Sequence, residues 1–330
     1  MSVRRLESML PFLSRDLAID LGTAATRIHV RGKGLMLNEP SLVAVDSETG
    51  QFVAFGAEAG RQRAGVVTVR PVRNGAIVEP DAARVMLRHF VHKVHGHPYA
   101  RPRMTIAVPG GITAIERRVM VEAAYEAQAR QIIFMEQPLA AALGAGLALG
   151  DPMAAIVVDV GSGTTDVAAV SMGRAVAVRS MRTGGEAMDA AIRLEVRRAH
   201  GIVIDDRTAE TLKEQIGSAC EPSAGRRMEV SGTHPRHGAP MSAMVSAECV
   251  HEALDPAVRA IVEAVREVLE SCSPEIAADV ARRGLLLTGG GALLSGLPRR
   301  LRRDLGIPVA LVNRPQHTVA LGLGMWAARN

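Results

Sequence analysis

AIDLGTAAT at residues 18–26 and VVDVGSGTT at residues 157–165 are two copies of one pattern. Each is an apolar strand ending in Asp-x-Gly, a turn of small and hydroxyl-bearing residues, and a second strand opening after a threonine. Asp20 aligns with Asp159, Gly22 with Gly161, Thr23 with Ser162 and Thr26 with Thr165. Two extended runs joined by so tight a turn read as a β-hairpin. Its recurrence across a chain of 330 residues reads as two related domains.

Working outward, strands and helices alternate on both sides of each hairpin. Strands are expected at 16–21, 26–31, 103–109 and 131–135, and helices at 81–95, 112–129 and 138–149. Asp81 is available as a cap for the first of these helices, and Val85, His89 and His92 share one side of it. The scheme restarts with strands at 154–160, 166–172 and 174–180, helices at 185–200 and 206–219, and a long helix over 247–270. The Gly/Pro/His-rich stretch 231–240 reads as the least ordered internal loop. A strand over 284–291 enters a glycine turn and a helix to about 303, before a last strand at 307–312 and a last helix at 317–328. The class is α/β with mostly parallel sheets.

The repeated turn has a chemistry. A hairpin turn of Gly, Ala, Thr and Ser aims several backbone N–H groups into one concavity, and such a nest takes phosphate oxygens. Thr23, Ser162, Thr164 and Thr165 add hydroxyl donors. Asp20 and Asp159 place carboxylates beside the turns, which suits Mg²⁺ held through its waters. A third turn, TGGGALLSGLP at 288–298, lacks Walker spacing and reads as backbone approaching an adenosine.

Composition narrows the rest. Apolar residues make up 48% of the chain and charged residues 22%, which excludes disorder and allows a sizeable core. With 2% aromatics that core is aliphatic. The net charge is +5, but eight aromatics offer little for base stacking, and no nucleic-acid partner is expected. Cys220, Cys249 and Cys272 are odd in number and form no CxxC pair, so they read as reduced thiols in a cytosol. No run of residues is long and apolar enough to span a bilayer. Residues 1–15, with Val3, Leu6, Leu10 and Leu13 beside Arg4, Arg5 and Arg15, read equally as an amphipathic membrane anchor or a frayed end.

In this order and spacing, the two hairpins and the glycine turn resemble the actin/Hsp70/sugar-kinase ATPase superfamily. The similarity narrows to the MreB-like bacterial actins, the rod-shape-determining proteins with their Mbl branch. GLMLNEPSLVAV (34–45), RPVRNGAIVEP (70–80), AVPGGITAIERR (107–118), EQPLAAALGAGL (136–147), AETLKEQIGSA (209–219) and RGLLLTGGGALLSGL (283–297) all look like that family's segments. The resemblance implies an actin-like fold of two duplicated α/β domains, 16–140 and 141–330. Each would carry an inserted subdomain, at about 32–72 and 181–242, with ATP (or ADP) and Mg²⁺ in the cleft between the halves.

Carried over by motif, Thr23, Ala24 and Ala25 meet the phosphates from one side, and Ser162, Gly163 and Thr164 from the other, with Gly22, Gly161, Asp20 and Asp159 also among the cofactor-binding residues. Asp20 and Asp159 hold the metal through water. Gly289, Gly290, Gly291, Ala292 and Leu293 line the adenosine, and Glu210, Thr211, Leu212 and Lys213 meet its sugar or base. Glu136, Gln137 and Thr164 stand at the hydrolytic end. The implied activity is a weak ATPase coupled to assembly. The implied partners are the protein itself in filaments, the inner face of the cytoplasmic membrane, and membrane proteins of the cell-wall elongation machinery organising peptidoglycan synthesis. The alternatives are a non-polymerising ATP-binding paralogue and a small-molecule kinase of the same superfamily. A chaperone of the Hsp70 kind would need a substrate domain after residue 330.

Three departures from the family pattern stand out. Ala25 replaces an Asn, Ser162 replaces the first of three glycines, where a glycine-only φ would be strained, and Gln137 replaces the Glu expected to orient the attacking water. An amide is no base, but its carbonyl can hold a water in line, so slow hydrolysis is the expectation. Elsewhere, His89, His92, His95 and His97 read as solvated histidines, as do His234 and His237. The Arg299–Arg303 run reads as a solvated helix face or a contact for an acidic partner. Tyr99 would make at most a shallow membrane contact.

Overall fold

The computed structural model describes residues 15–61, 64–95, 101–148, 150–222 and 224–329. The N-terminal segment through residue 14 and the loop holding His97 and Tyr99 lie outside the described residues. The chain forms two compact units, Met1–Leu149 with Gln316–Asn330, and Gly150–Pro315. The segment 141–149 and the last helix, assigned from the sequence to the second domain, therefore belong to the first.

Unit 1 opens on an antiparallel meander of β1 (Leu17–Leu21), β2 (Ala25–Val30) and β3 (Gly34–Pro40). β4 (Val43–Asp46), β5 (Phe52–Phe55) and β6 (Val66–Val69) form a separate three-stranded sheet, and β7 (Val72–Arg73) pairs with β8 (Ala76–Ile77). The expected insertion at 32–72 thus gives up its first strand: β3 pairs with β2 from Ala25↔Pro40 to Val30↔Gly34 and extends the main sheet. Next come α1 (Pro80–His95), β9 (Arg103–Val108), α2 (Ala114–Glu126), β10 (Gln131–Glu136) and α3 (Gln137–Gly144). The main sheet runs β10-β9-β1-β2-β3, with β9 and β10 parallel to β1. Every residue of β1 is buried, as a central strand covered on both faces requires. Ile19, Ile28, Met86, Phe90, Met104 and Ile106 form the centre of the core.

Two helices of unit 1 differ from expectation. In α1 the buried stripe is Ala82, Ala83, Met86, Leu87, Phe90 and Val91, while His89 and His92 are exposed and Asp81 pairs with Arg84 in the first turn. α3 stops at Gly144 rather than 149. Gly146 takes φ +91°, its N–H bonds the Leu143 carbonyl and the Leu147 N–H bonds the Ala142 carbonyl, which is a Schellman stop.

Unit 2 repeats the plan. β11 (Ala155–Val160), β12 (Thr165–Ser171) and β13 (Arg174–Met181) form the meander, followed by α4 (Gly185–His200), α5 (Asp206–Ile216), the hairpin β14 (Arg227–Thr233) and β15 (Pro240–Ser246), and α6 (Ala247–Glu270). α7 (Pro274–Arg283), β16 (Leu285–Thr288), α8 (Leu297–Leu305) and β17 (Val309–Leu311) complete it, giving sheet order β13-β12-β11-β16-β17. The topology matches that of the first sheet strand for strand. Ile156, Val158, Val167, Ile192, Leu254 and Leu287 sit in its aliphatic core.

The stretch 231–240, expected as a loop, is loop at 234–239 only; 231–233 and Pro240 belong to strands. β14 and β15 pair from Arg227↔Ser246 to Thr233↔Pro240, leaving only a tip in which the His234 and His237 rings stack at 3.7 Å. The base is tied down because Val203 and Thr233 exchange both backbone hydrogen bonds. α7 is not among the expected helices; Val280 is buried with Ile276 packed on the core beside it, Ser273 caps it and Pro274 opens it.

The chain ends in α9 (Thr318–Arg329), which packs on α3 and β1 of unit 1. Contact is backbone on backbone. A Cβ on Gly322 would overlap the Ala140 carbonyl and lie 2.7 Å from the Gly144 N, and one on Gly144 would overlap the Thr318 carbonyl. No helix among the described residues is long and apolar enough to cross a membrane.

Candidate functional site

In unit 1, β1, β9 and β10 are parallel, so their carboxyl ends share one edge of the sheet. That edge carries the Gly22 turn and the Glu136–Gln137 junction. Open α/β sheets bind ligands at this edge. The Gly22 N–H donates to the Ala25 carbonyl at 3.2 Å, and a Cβ at Gly22 would lie 2.9 Å from that oxygen. Ser41 braces the turn from behind: its N–H bonds the Ala24 carbonyl at 3.0 Å, and its hydroxyl bonds the Gly22 carbonyl at 2.7 Å and meets the Thr26 hydroxyl at 2.9 Å. With these carbonyls committed to the brace, the turn's N–H groups are the ones left for a ligand.

Of the three residues expected at the phosphates here, Ala24 is exposed at the tip and Ala25 is half-buried. Thr23 is buried, with its hydroxyl accepting from the Gly75 N–H at 3.2 Å. Asp20 is 6% exposed. Burial pushes its carboxyl above the usual carboxylate range, against the opposing pull of the Arg27 guanidinium. Gln137 is the half-buried first residue of α3, and Glu136 before it is exposed.

Unit 2 builds its turn in the same way with different supports. The Gly161 N–H donates to the Thr164 carbonyl at 2.8 Å. The amino end of α4 docks on the back: the Gly185 and Glu186 N–H groups bond the Gly161 and Ser162 carbonyls at 3.0 and 2.8 Å. Gly184 has no room for a side chain, because a Cβ would lie 2.6 Å from the Ser162 oxygen. Thr165 donates to the Thr183 carbonyl at 2.6 Å. Ser162 is not among the residues with positive φ, so serine sits in this turn without the strain that a glycine-only conformation would impose. Gly163 and Thr164 are buried, and Asp159 is 7% exposed.

The third turn follows β16, the parallel neighbour of β11. Gly289 has φ +87°, and a Cβ there would overlap the Val160 carbonyl and lie 2.6 Å from the Asp159 carboxylate. Only glycine lets the two turns of unit 2 come together. Gly290 and Leu293 are exposed and Ala292 is buried.

The α5 residues separate. Glu210 is exposed. The Thr211 hydroxyl bonds the Arg207 carbonyl. Leu212 is fully buried with Ala209 and Ile216 on the helix's core face, so its side chain is packing and lines no ligand surface. Lys213 is spent on α4: its Nζ lies 2.7 Å from Asp189 Oδ1 and 2.9 Å from Oδ2, and 3.3 Å from the Gly185 carbonyl. It holds the helix that braces the second turn. Burial raises the Asp189 carboxyl above its ordinary range, while Lys213 pulls it back.

Sequence reasoning missed the supports Ser41, Gly184 and Gly185, and the Arg27 partner of Asp20 at 3.4 Å. Arg27 was open to discovery, because hairpin pairing sets it opposite Asp20. Among the described residues no three His, Cys, Asp or Glu side chains are grouped to hold a metal ion, and His89 stacks on Phe55 at 4.6 Å.

Two α/β units of one topology, each ending its central strand in an Asp-x-Gly hairpin, define an actin-like fold. The chain is similar to MreB5 of Spiroplasma citri solved with ADP, with a TM-score of 0.88 and 32% identity over 95% of this chain and 96% of that one. The same protein has been solved with AMPPNP. The MamK double helical filament shares the fold at a TM-score of 0.82 and 22% identity, covering 95% of this chain and 98% of that one. In sequence, the cell shape-determining protein MreB of Escherichia coli (strain K12) is 41% identical, covering 97% of this chain and 95% of its own. Cell shape-determining protein Mbl of Bacillus subtilis (strain 168) is 38% identical, covering 94% and 95%. Residues 14–330 match the MreB/Mbl protein family, and the chain belongs to it.

Proposed function

We propose that this protein is a nucleotide-binding bacterial actin that assembles into filaments and acts in cell-shape determination. The observation that carries the reading is the pair of braced turns. In both units the carbonyls at the hairpin apex are held from behind, by Ser41 in one and the α4 terminus in the other, which presents N–H groups for phosphate oxygens. Nucleotide binding by MreB5 and the shape-determining role of MreB and Mbl support it.

The residues fit Mg²⁺. Asp20 and Asp159 are buried carboxylates at strand ends, and Gly289 packs directly against the Asp159 carboxylate. When bound, the ion would neutralise phosphate charge. The chain's own residues orient the phosphates through the two turns, and Gln137 holds a water by its side-chain carbonyl without taking its proton, so hydrolysis is slow. Gly289 to Leu293 accept the adenosine. Filaments would lie at the inner face of the cytoplasmic membrane and organise peptidoglycan synthesis with the elongation machinery.

Electron microscopy of the purified protein with Mg-ATP, with and without anionic liposomes, tests the reading. Filaments, paired on lipid, are expected. Demonstrated ATP binding without filaments would instead identify a non-polymerising paralogue. Phosphate release should be slower in the wild type than in Gln137→Glu, and equal or faster release would remove the assigned role of Gln137.

A further inference from the structure

The two hairpins are matched in fold but not in charge. Strand pairing sets Asp20 opposite Arg27 in unit 1 and Asp159 opposite Asp166 in unit 2. At one position of the repeat, then, a guanidinium replaces a carboxylate. In unit 2 the pair consists of two acids, 7% and 1% exposed, each with partners of its own. In unit 1 the charges cancel, and the site is drawn less to a cation and more to an anion.

The Arg27–Asp20 pair is also loosely made. Its one hydrogen bond, from Arg27 NH1 to Asp20 Oδ2, is 3.4 Å long, and the buried Arg27 Nε has no hydrogen-bond partner. A mostly buried guanidinium with an unmet Nε–H is costly unless something else completes it. Its planar set of donors matches phosphate oxygens. Along β2, Arg27 alternates with buried Thr26 and Ile28 and shares a face with Ala25, a residue of the braced turn.

We infer that Arg27 is a phosphate-binding residue of the first hairpin, which takes the nucleotide's anion through its guanidinium. This rests on the nucleotide reading above. It makes nucleotide binding partly independent of metal. In Arg27→Met, affinity for metal-free nucleotide falls more than affinity at saturating Mg²⁺, where the metal neutralises phosphate charge in its place. A residue that only supports the fold would weaken binding in both conditions alike.

Titration of a fluorescent ADP analogue, in EDTA and across a Mg²⁺ series, reads both quantities. Arg27→Met should lose at least about tenfold in EDTA, the scale of a hydrogen bond to a charged group, and should lose less at saturating Mg²⁺. Arg27→Lys keeps the charge but loses the planar set of donors, and in EDTA should fall between wild type and Arg27→Met. Equal losses with and without metal, or no loss, would overturn the assignment of Arg27 alone. A wild type that binds no nucleotide even at saturating Mg²⁺ would overturn the nucleotide reading with it. If Arg27→Met does not fold, as shown by loss of a cooperative thermal transition, Arg27→Lys decides: a loss confined to EDTA supports phosphate binding, and equal losses with and without Mg²⁺, or no loss, count against it.

Discussion

Gly322→Ala should destabilise unit 1 although alanine is the better helix former. In an isolated helix the exchange gains about 1 kcal/mol. Here the new methyl would overlap the Ala140 carbonyl and approach the Gly144 N to 2.7 Å, both backbone atoms of α3 that no rotamer change can move. The two helices must part, and a forced methyl in a packed interface costs about 1–3 kcal/mol with flexible neighbours. With rigid ones the upper end applies, so the net loss is about 2 kcal/mol. The single tryptophan, Trp326, lies on α9 and reports on this interface. Its fluorescence in a urea series should show a lower midpoint for Gly322→Ala at unchanged slope. α3 also begins at Gln137, so displacing it should slow phosphate release. A midpoint at or above that of the wild type would refute the reasoning, because propensity would then outweigh the close crossing.

Gly289→Ala forces a β-carbon against the Val160 carbonyl and the Asp159 carboxylate at φ +87°; ADP affinity by calorimetry should fall at least about tenfold, with a stability loss of about 2 kcal/mol. Arg300, 8% exposed, bonds Asp255, Asp304 and the Ala219 carbonyl; Arg300→Met leaves two acids without it and should cost about 3 kcal/mol in the calorimetric unfolding of unit 2. Burial beside Gly324 holds the His29 imidazole below its ordinary 6.5. The unfolded chain then binds the proton more readily, so stability is retained above pH 6.5 and lost as the pH falls through the lower folded value. Trp326-detected stability should drop between pH 7 and 5 in the wild type and drop less in His29→Gln.

The hairpins were legible because Asp-x-Gly and small residues are local signals, and the repeat doubled them. Their supports were not. Ser41 reaches back to Gly22 and Ala24 from across β2 and β3, and Gly184 and Gly185 return to Gly161 and Ser162 after two strands, contacts that no short window holds. Leu212 was a different error. It was carried over with its neighbours as a block, although Ala209, Leu212 and Ile216 recur at helical spacing and mark an inward face. Lys213 was read as free for a ligand because the sequence does not show that Asp189, on another helix, already holds it. Nothing in 317–328 says which unit the last helix joins; the facing glycines decide that only once both helices exist.

That last helix has a consequence for how the chain is made. Unit 2 is one continuous stretch, Gly150–Pro315, and can fold as it leaves the ribosome. Unit 1 cannot finish in sequence, because its first strands, though synthesised earliest, lack α9 until all of unit 2 has been translated. A chain released at residue 315 would carry a complete second unit and a first unit in which β1 and α3 lack the contacts of α9. During synthesis, it is this older half that needs chaperoning.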